Sequence, residues 1–445
     1  MRTTSRWALA AVSVLALAVS ALPASAGHET DPRTKNLHPL GHIEEPAVLG
    51  GFGGADPNIH TDIAFWGKYA FQGNWDGFNI RDVSSPGNPE TVSRTFCDGN
   101  QGDIVVWDNV LVRSWNTPAG TPGPFGAGLT CDGQDVAAGF EGLHVFDISN
   151  LEDPELVAQV VTPCGSHTAT GVPDLENGRL LVYNSPSSGA CPGIQVVEVP
   201  LDDPASSAML SFVDAGRACH DTGVILGDAM LAACAGGDGF TVWTLDPAVD
   251  PLASLENPVM IQSVAVPGVT IGHSAAFTWD GEVLIFGHEP GGGIAAACEE
   301  ADPEGDRTYY FYDPIGGALL GQWTMTRTQS ATENCSLHNF NVVPLRSGRY
   351  VLVHGSYQSG TSVVDFTDLT APVELAWSDP PPAPVPPGTP FCCDVTGAWS
   401  SYWYDNFIYE TSIGEGLNVF RFSGRQTAGA LKLGHLNPQT QEFTL

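Results

Sequence analysis

Short apolar runs recur along the chain and alternate with Gly, Asp, Asn and Pro. In the first clear unit, apolar segments at 62–66 and 69–72 are followed by others at 77–83 and 90–96. Runs of this length, rich in β-branched and aromatic residues, predict β-strands. A helical 3.6-residue period is absent after the first 26 residues, so the pattern predicts an all-β protein.

One phrase, Gly-apolar-x-Val/Ile-x-Asp-apolar-Ser, repeats within this pattern. It is intact at 77–84 and 142–149, with looser copies from Gly193, Gly239, Gly360 and Gly416, and Tyr309 to Asp313 in the same place of the remaining unit. Two apolar segments precede each copy and one follows it. Four strands per unit is the content of one β-propeller blade.

Counting these units predicts a seven-bladed propeller over residues 27–424, followed by a C-terminal tail at 425–445. The units begin near residues 60, 101, 167, 220, 273, 338 and 399. Six or eight blades stay open, because the second unit carries a long insertion and the seventh is short. The seventh lacks a clear fourth strand, so we expect residues 37–50 to pair with it and to remove the exposed sheet edge.

The N-terminal 26 residues resemble a secretory signal. Arg2 and Arg6 precede an apolar stretch at 7–22, and Ala24, Ser25 and Ala26 supply small residues at the cleavage site. A membrane anchor is the alternative, but the stretch is shorter than the roughly 20 residues of a spanning helix. We expect cleavage after Ala26 and a secreted, extracellular protein without a membrane span.

The composition is strongly acidic, with a net charge of −33. Such a chain repels phosphate backbones and anionic lipids, which argues against nucleic-acid and membrane partners. Cations, including calcium, are the natural counter-ligands, although high charge also serves solubility alone. We expect a monomer.

Ten cysteines in a predicted export product favour disulfides. Locality and repeat phase predict the pairs Cys97–Cys131, Cys164–Cys191, Cys219–Cys234 and Cys298–Cys335, with Cys392–Cys393 as a vicinal pair. Each bridge is expected to tie a blade-joining loop to a loop of an adjacent blade.

Histidines recur at one position of the repeat, the first residue of the unit. Five of the seven units begin with histidine, although the whole chain holds only 12: His60, His167, His220, His273 and His338. The first strand of a blade normally lines the central channel. These imidazoles are therefore expected at the channel mouth, close to the carboxyl groups of Asp62, Asp103, Asp221, Glu289 and Glu333.

Three interpretations of this pattern stay open. The histidines are a hydrogen-bonding device repeated by duplication, as in other propellers. Alternatively, His167, His220, His273 and His338 bind a metal, because imidazole is a common transition-metal ligand. In the third interpretation, His60 and the five carboxyl groups form a metal-free pocket for a small ligand or for acid–base chemistry.

The copies at 77–84 and 142–149 resemble LVIVD repeats, with their Asp-Val-Ser and Asp-Ile-Ser endings. The segments around Cys164 to Thr168, Cys219 to Asp221 and Glu333 to Cys335 are similar to those of secreted bacterial LVIVD-repeat proteins. The resemblance implies an extracytoplasmic propeller and no particular reaction.

The leading hypothesis is an extracellular scaffold that binds a small ligand or an extracellular partner at a histidine-rich channel mouth. A metal-dependent oxidoreductase or hydrolase using the same histidines is the alternative, and a purely structural surface protein is the third. The cofactor, if there is one, is a transition metal or calcium. Fold alone does not choose among these.

Overall fold

Seven four-stranded antiparallel sheets follow one another along the chain in the computed structural model, which describes residues 30–45, 59–123, 125–382 and 396–445. Six or eight blades, the alternatives left open by the sequence, are therefore wrong. The predicted signal peptide at 1–26 and the predicted Cys392–Cys393 pair lie outside the described residues. Within those ranges, no helix has the length and apolar character needed to cross a membrane.

The strands of the first three blades have the following bounds. Strand β1 is Leu37–Glu44, and blade 1 contains β2 (His60–Trp66), β3 (Tyr69–Asn74), β4 (Gly77–Asp82) and β5 (Glu90–Phe96). Blade 2 contains β6 (Ile104–Trp107), β7 (Val110–Trp115), the inserted hairpin β8 (Thr130–Cys131) and β9 (Gln134–Asp135), β10 (Gly142–Asp147) and β11 (Glu155–Val161). Blade 3 contains β12 (Thr168–Asp174), β13 (Arg179–Ser185), β14 (Gly193–Pro200) and β15 (Ala208–Asp214).

The other four blades repeat this order. Blade 4 contains β16 (Cys219–Ile225), β17 (Leu231–Gly236), β18 (Gly239–Thr244) and β19 (Val259–Ala265). Blade 5 contains β20 (Gly272–Phe277), β21 (Leu284–His288), β22 (Thr308–Tyr312) and β23 (Leu319–Thr324). Blade 6 contains β24 (Phe340–Val342), β25 (Val351–Gly355), β26 (Thr361–Asp365) and β27 (Val373–Trp377). Blade 7 contains β28 (Ala398–Tyr404), β29 (Phe407–Ser412) and β30 (Gly416–Phe422). Short 3₁₀ helices span Leu175–Asn177, Pro204–Ser206, Glu304–Arg307 and Arg425–Thr427.

The sheets are arranged as a closed ring. The first strand of each blade contacts the first strands of both neighbouring blades, and β28 of blade 7 contacts β2 of blade 1. Strand β1 pairs antiparallel with β30 and supplies the fourth strand of blade 7. The predicted closure by the N-terminal segment is confirmed, and it removes the open edge that β30 would otherwise present.

Each blade is apolar on both faces because it packs between two other blades. In β7, for example, Val110 and Val112 pack toward blade 3, whereas Leu111 packs toward blade 1. One buried apolar cluster fills each of the seven blade interfaces among the described residues. Burial on both faces explains why the inner strands of the blades carry apolar residues on both faces, whereas outermost strands such as β15 alternate with exposed positions.

Four disulfides confirm the predicted pairs. They are Cys97–Cys131, Cys164–Cys191, Cys219–Cys234 and Cys298–Cys335. Three of them join loops at the end of the ring where the first strands begin. The prediction that every bridge joins two loops is wrong for the remaining one: Cys219 and Cys234 lie on the adjacent strands β16 and β17, with Cα atoms 5.5 Å apart. That separation suits a disulfide between neighbouring strands.

Residues 435–445, which we call the C-terminal strap, cross the far end of the central channel. Strand β31 (His435–Leu436) pairs with the end of β2, and β32 (Thr440–Gln441) pairs with the end of β16. Between them, Asn437 donates to the backbone carbonyl of Val106 and accepts from its amide. Thr440 and Gln441 also donate to the carbonyls of Gly171 and Phe277, so the strap contacts the first strands of blades 1 to 5. These residues belong to the segment predicted as a C-terminal tail.

Candidate functional site

A cavity of about 390 Å³ lies at the end of the channel where the first strands of the blades begin. Its lining includes eight of the ten residues singled out from the sequence: His167, His220, His273, His338, Asp62, Asp103, Asp221 and Glu289. The ring geometry explains this convergence, because equivalent positions of successive blades lie side by side around one axis.

The other two residues lie outside the cavity. His60 is fully buried, and its Nε2 lies 2.9 Å from the backbone carbonyl of Glu45. Glu333 is also buried and accepts a hydrogen bond from the backbone amide of Ser330 at 2.8 Å. His60 therefore shares the repeat position of the other histidines but not their environment.

The four lining histidines form an arc across blades 3 to 6, which we call the histidine arc. The ring centroids are 4.3 Å apart for His167 and His220, 4.0 Å for His220 and His273, and 4.2 Å for His273 and His338. Such close ring packing suits neutral imidazoles, since two adjacent imidazolium ions would repel one another.

Hydrogen bonds fix the tautomers of two of these rings. Ser274 Oγ donates to the backbone carbonyl of His338 at 3.0 Å, so it accepts from His273 Nδ1 at 2.7 Å. His338 Nδ1 donates to the backbone carbonyl of Trp399. A neutral imidazole with its proton on Nδ1 carries its lone pair on Nε2. Both Nε2 atoms are therefore acceptors.

Glu289 faces these two acceptors. Its Oε2 lies 3.9 Å from His273 Nε2, and its Oε1 lies 3.6 Å from His338 Nε2. Oε1 also accepts a hydrogen bond from the Tyr357 hydroxyl. Nitrogen lone pairs and carboxyl oxygens thus face one another across a small gap. A proton or a cation in this gap would relieve their repulsion.

A run of three glycines after β21 allows the approach of Tyr357 to Glu289. Gly291, Gly292 and Gly293 have φ values of 79°, 65° and 72°, in the left-handed region. A Cβ atom on Gly293 would fall 2.5 Å from Tyr357 Oη and 2.7 Å from Glu289 Oε1. A larger residue would therefore separate the phenol from the carboxyl group.

Burial keeps the histidine arc neutral at neutral pH. It lowers the pKa of His167 to about 4 and that of His338 to about 3. The pKa values of His220 and His273 are well below the usual range, first through burial and then through repulsion by neighbouring imidazoles. Their nitrogens consequently remain available as ligands or acceptors.

Three aspartates from blades 1, 2 and 4 line a second part of the same cavity. Asp103 accepts a hydrogen bond from the Ala169 amide at 2.6 Å, and Asp62 accepts one from Gln439 Nε2 of the strap at 2.7 Å. Burial raises the pKa of Asp221 to about 8 and holds that of Asp103 well above its usual range, with added repulsion from Asp62 in each case. Burial likewise raises the pKa of Glu289 to about 7.

Several lining residues were not identified from the sequence. Among them are Trp75, Phe125, Tyr357 and Gln439. The first three come from loops between the second and third strands of blades, where the repeat phrase gives no signal. Gln439 comes from the strap, which belongs to no repeat. The rings of Trp75 and Phe125 lie 5.4 Å apart and form an aromatic wall.

Two groups of potential metal ligands occur among the described residues. One contains His220, His273 and Glu289, whose ligand atoms all lie within 4.8 Å of one another. The other contains His144 with Cys97 and Cys131, but these two cysteines form a disulfide. A cysteine binds a metal through its thiolate. The second group therefore lacks cysteine ligands as long as the disulfide is intact.

The protein is thus a seven-bladed β-propeller with a buried histidine and carboxyl cluster at one end of its channel. The LVIVD repeat model matches residues 60–95, which is blade 1, and residues 136–162, which contain β10 and β11. Both intact copies of the repeat phrase lie within these matches. A comparison with curated proteins found no match.

Proposed function

We propose that this protein is a secreted scaffold that binds a small, positively charged ligand in the cavity at the channel mouth. The chemical character of the residues that line the cavity is the main support for this proposal. Four carboxyl groups and four neutral imidazoles line it, and no Lys or Arg belongs to its lining among the described residues. A cation would compensate carboxylates that otherwise lie in a poorly solvated site.

The shape and the aromatic lining also favour a small ligand. A cavity of about 390 Å³ lies within the range of small-molecule sites. Trp75, Tyr357 and Trp399 present aromatic rings to it. Aromatic faces attract ammonium and guanidinium groups, because the ring quadrupole is negative above the plane.

Four disulfides support a location in an oxidising compartment. Three of them pin the loops around the cavity, so a ligand would meet a largely preformed site. Together with the signal predicted at 1–26, this supports secretion. An enzyme would use the same imidazoles and Glu289, whereas a purely structural protein would bind nothing here. A binding measurement therefore separates the proposed scaffold from the structural alternative.

The proposal predicts saturable binding of organic cations by the metal-free protein. Choline and spermidine, titrated in the presence of EDTA, are expected to change the tryptophan fluorescence, because Trp75 and Trp399 line the cavity. Affinity should rise between about pH 6 and pH 9 as Glu289 and Asp221, with pKa values of about 7 and about 8, become charged. The changes Asp221→Asn and Glu289→Gln should each weaken binding roughly tenfold.

Glu333→Gln provides the matched control. This carboxyl group is buried like the others but lies outside the cavity, so its neutralisation should leave cation affinity unchanged. Acetate and citrate serve as anionic probes and should not bind. Equal binding of these anions, or no saturable response to either cation, would overturn the proposed function.

A further inference from the structure

We infer that the cavity holds a divalent transition-metal ion bound by Glu289 and by the imidazoles of His220, His273 and His338. This inference deepens the proposed function, on which it rests, by naming one class of cation and its ligands. It also changes one member of the metal-ligand set predicted from the sequence, because Glu289 takes the place of His167.

The donor atoms come together from three blades and one loop. The ligand atoms of His220, His273 and Glu289 lie within 4.8 Å of one another. His338 Nε2 joins them, 3.6 Å from Glu289 Oε1. His167 contacts His220 and lies at the far end of the histidine arc from Glu289. It is therefore outside the proposed ligand set.

The side chains are already oriented as metal ligands. The Nδ1 protons of His273 and His338 are donated to Ser274 Oγ and to the Trp399 carbonyl, so their Nε2 lone pairs face Glu289. A metal-ligating histidine characteristically donates its other ring N–H to such a partner. The Tyr357 hydroxyl similarly holds Glu289 Oε1.

His220 contributes a further nitrogen that an ion could satisfy. Its Nδ1 is buried without a hydrogen-bond partner among the described residues. A buried polar atom without a partner costs about 1–3 kcal/mol, so such atoms normally have one. A bound ion beside this ring would give the His220 imidazole a favourable partner.

The donor set selects the class of ion. Three neutral imidazole nitrogens and one carboxylate suit zinc and copper, whereas calcium and magnesium require a shell of oxygen atoms. The calcium expected as an alternative from the sequence therefore does not fit this donor set. The remaining cavity lies beside the proposed ion, so the ion would be accessible to a second ligand.

Zinc titration of the untagged full-length mature protein, followed by calorimetry and elemental analysis, tests the inference. We expect one equivalent of zinc to bind, and a roughly tenfold excess of calcium not to compete. Glu289→Gln and His273→Ala should each weaken zinc affinity by about 100-fold or more, since each removes a direct ligand. Circular dichroism spectra test whether each variant is folded.

His60→Ala is the matched control, because His60 occupies the same repeat position outside the cavity. It should retain the zinc affinity of the wild-type protein. If His273→Ala does not fold, copper(II) added to the wild-type chain gives a direct test. Electron spin-echo measurements should then detect imidazole nitrogens on the copper.

The possible outcomes separate this inference from the proposed function. Absence of stoichiometric zinc, or a copper spectrum without imidazole couplings, overturns the metal site. Binding of choline or spermidine in EDTA would still support the scaffold in that case. If the protein binds neither zinc nor the organic cations, both proposals are overturned.

Discussion

The metal-free protein is expected to lose stability steeply as the pH falls from about 6.5 to about 4.5. Burial lowers the pKa of His60 to about 4 and those of His144 and His354 to about 3, as it does in the histidine arc. An unfolded chain takes up protons on these rings near pH 6.5. The stabilisation is therefore complete above pH 6.5 and is lost as the pH falls toward the folded-state values.

Buried carboxyl groups oppose this effect. The pKa values of Asp103, Asp221 and Glu289 are raised, so these groups stabilise the fold as the pH falls. The pKa of His288 is also lowered by burial, and five less deeply buried carboxyl groups also have raised pKa values: Asp132, Glu141, Asp306, Asp379 and Asp405. Because these five carboxyl groups are partly exposed whereas the imidazoles are deeply buried, we expect the imidazoles to dominate. The free energy of unfolding should then fall with pH, with a slope of about 1.4 kcal/mol per pH unit for each imidazole in excess.

Urea unfolding at several pH values measures this slope. His144→Phe is an informative variant, because His144 packs between Trp115 and Phe140 outside the cavity and neither ring nitrogen has a hydrogen-bond partner among the described residues. It should reduce the slope by about 1.4 kcal/mol per pH unit. An unfolding free energy that stays constant between about pH 7 and pH 5 would contradict the prediction.

Deletion of residues 435–445 is expected to destabilise the protein by about 5 kcal/mol or more. The strap accepts hydrogen bonds at the carbonyls of Gln439 and Gln441 from the amides of Val224 and Leu226. Gln441 and Thr440 donate to carbonyls of Phe277 and Gly171. Its removal would open the far end of the channel. About 1 kcal/mol is lost for each of these four bonds and for each of the three that Asn437 and Gln439 make.

Thermal melting and thermolysin digestion would detect the loss. Lys432→Ala is the control, because Lys432 is exposed and lies three residues before the strap. We expect the control to melt like the wild-type protein. A truncated chain with wild-type melting and protease resistance would show that the strap contributes little to the fold.

The sequence repeat made the number of blades and the closure of the ring predictable. The Asp-Val-Ser phrase marks the third strand of a blade, and its spacing predicted seven sheets and the completion of the last by residues 37–50. Cysteine pairing was predictable because the partners lie close in the chain at matching repeat phases. The strap was not, since residues 435–445 belong to no repeat and pair through only two short strands.

Repeat phase predicted which end of the channel the histidines occupy, but not the direction of each side chain. His60 and His273 share that phase, yet His60 contacts the Glu45 carbonyl whereas His273 faces Glu289. The difference depends on what lies beside each strand, which spacing does not encode. Tyr357 was not predicted as a site residue for a related reason. It lies in the loop between β25 and β26, and no polar residue recurs at that position of the repeat.

The completion of blade 7 by β1 also constrains when the cavity can form. A nascent chain holds β1 from the start, but the partner β30 is synthesised only after blades 1 to 6. Until then the ring has a gap and an unpaired sheet edge, which is prone to pairing with other chains. Because residues of all seven blades line the cavity, it can take its final shape only once nearly the whole polypeptide has been made.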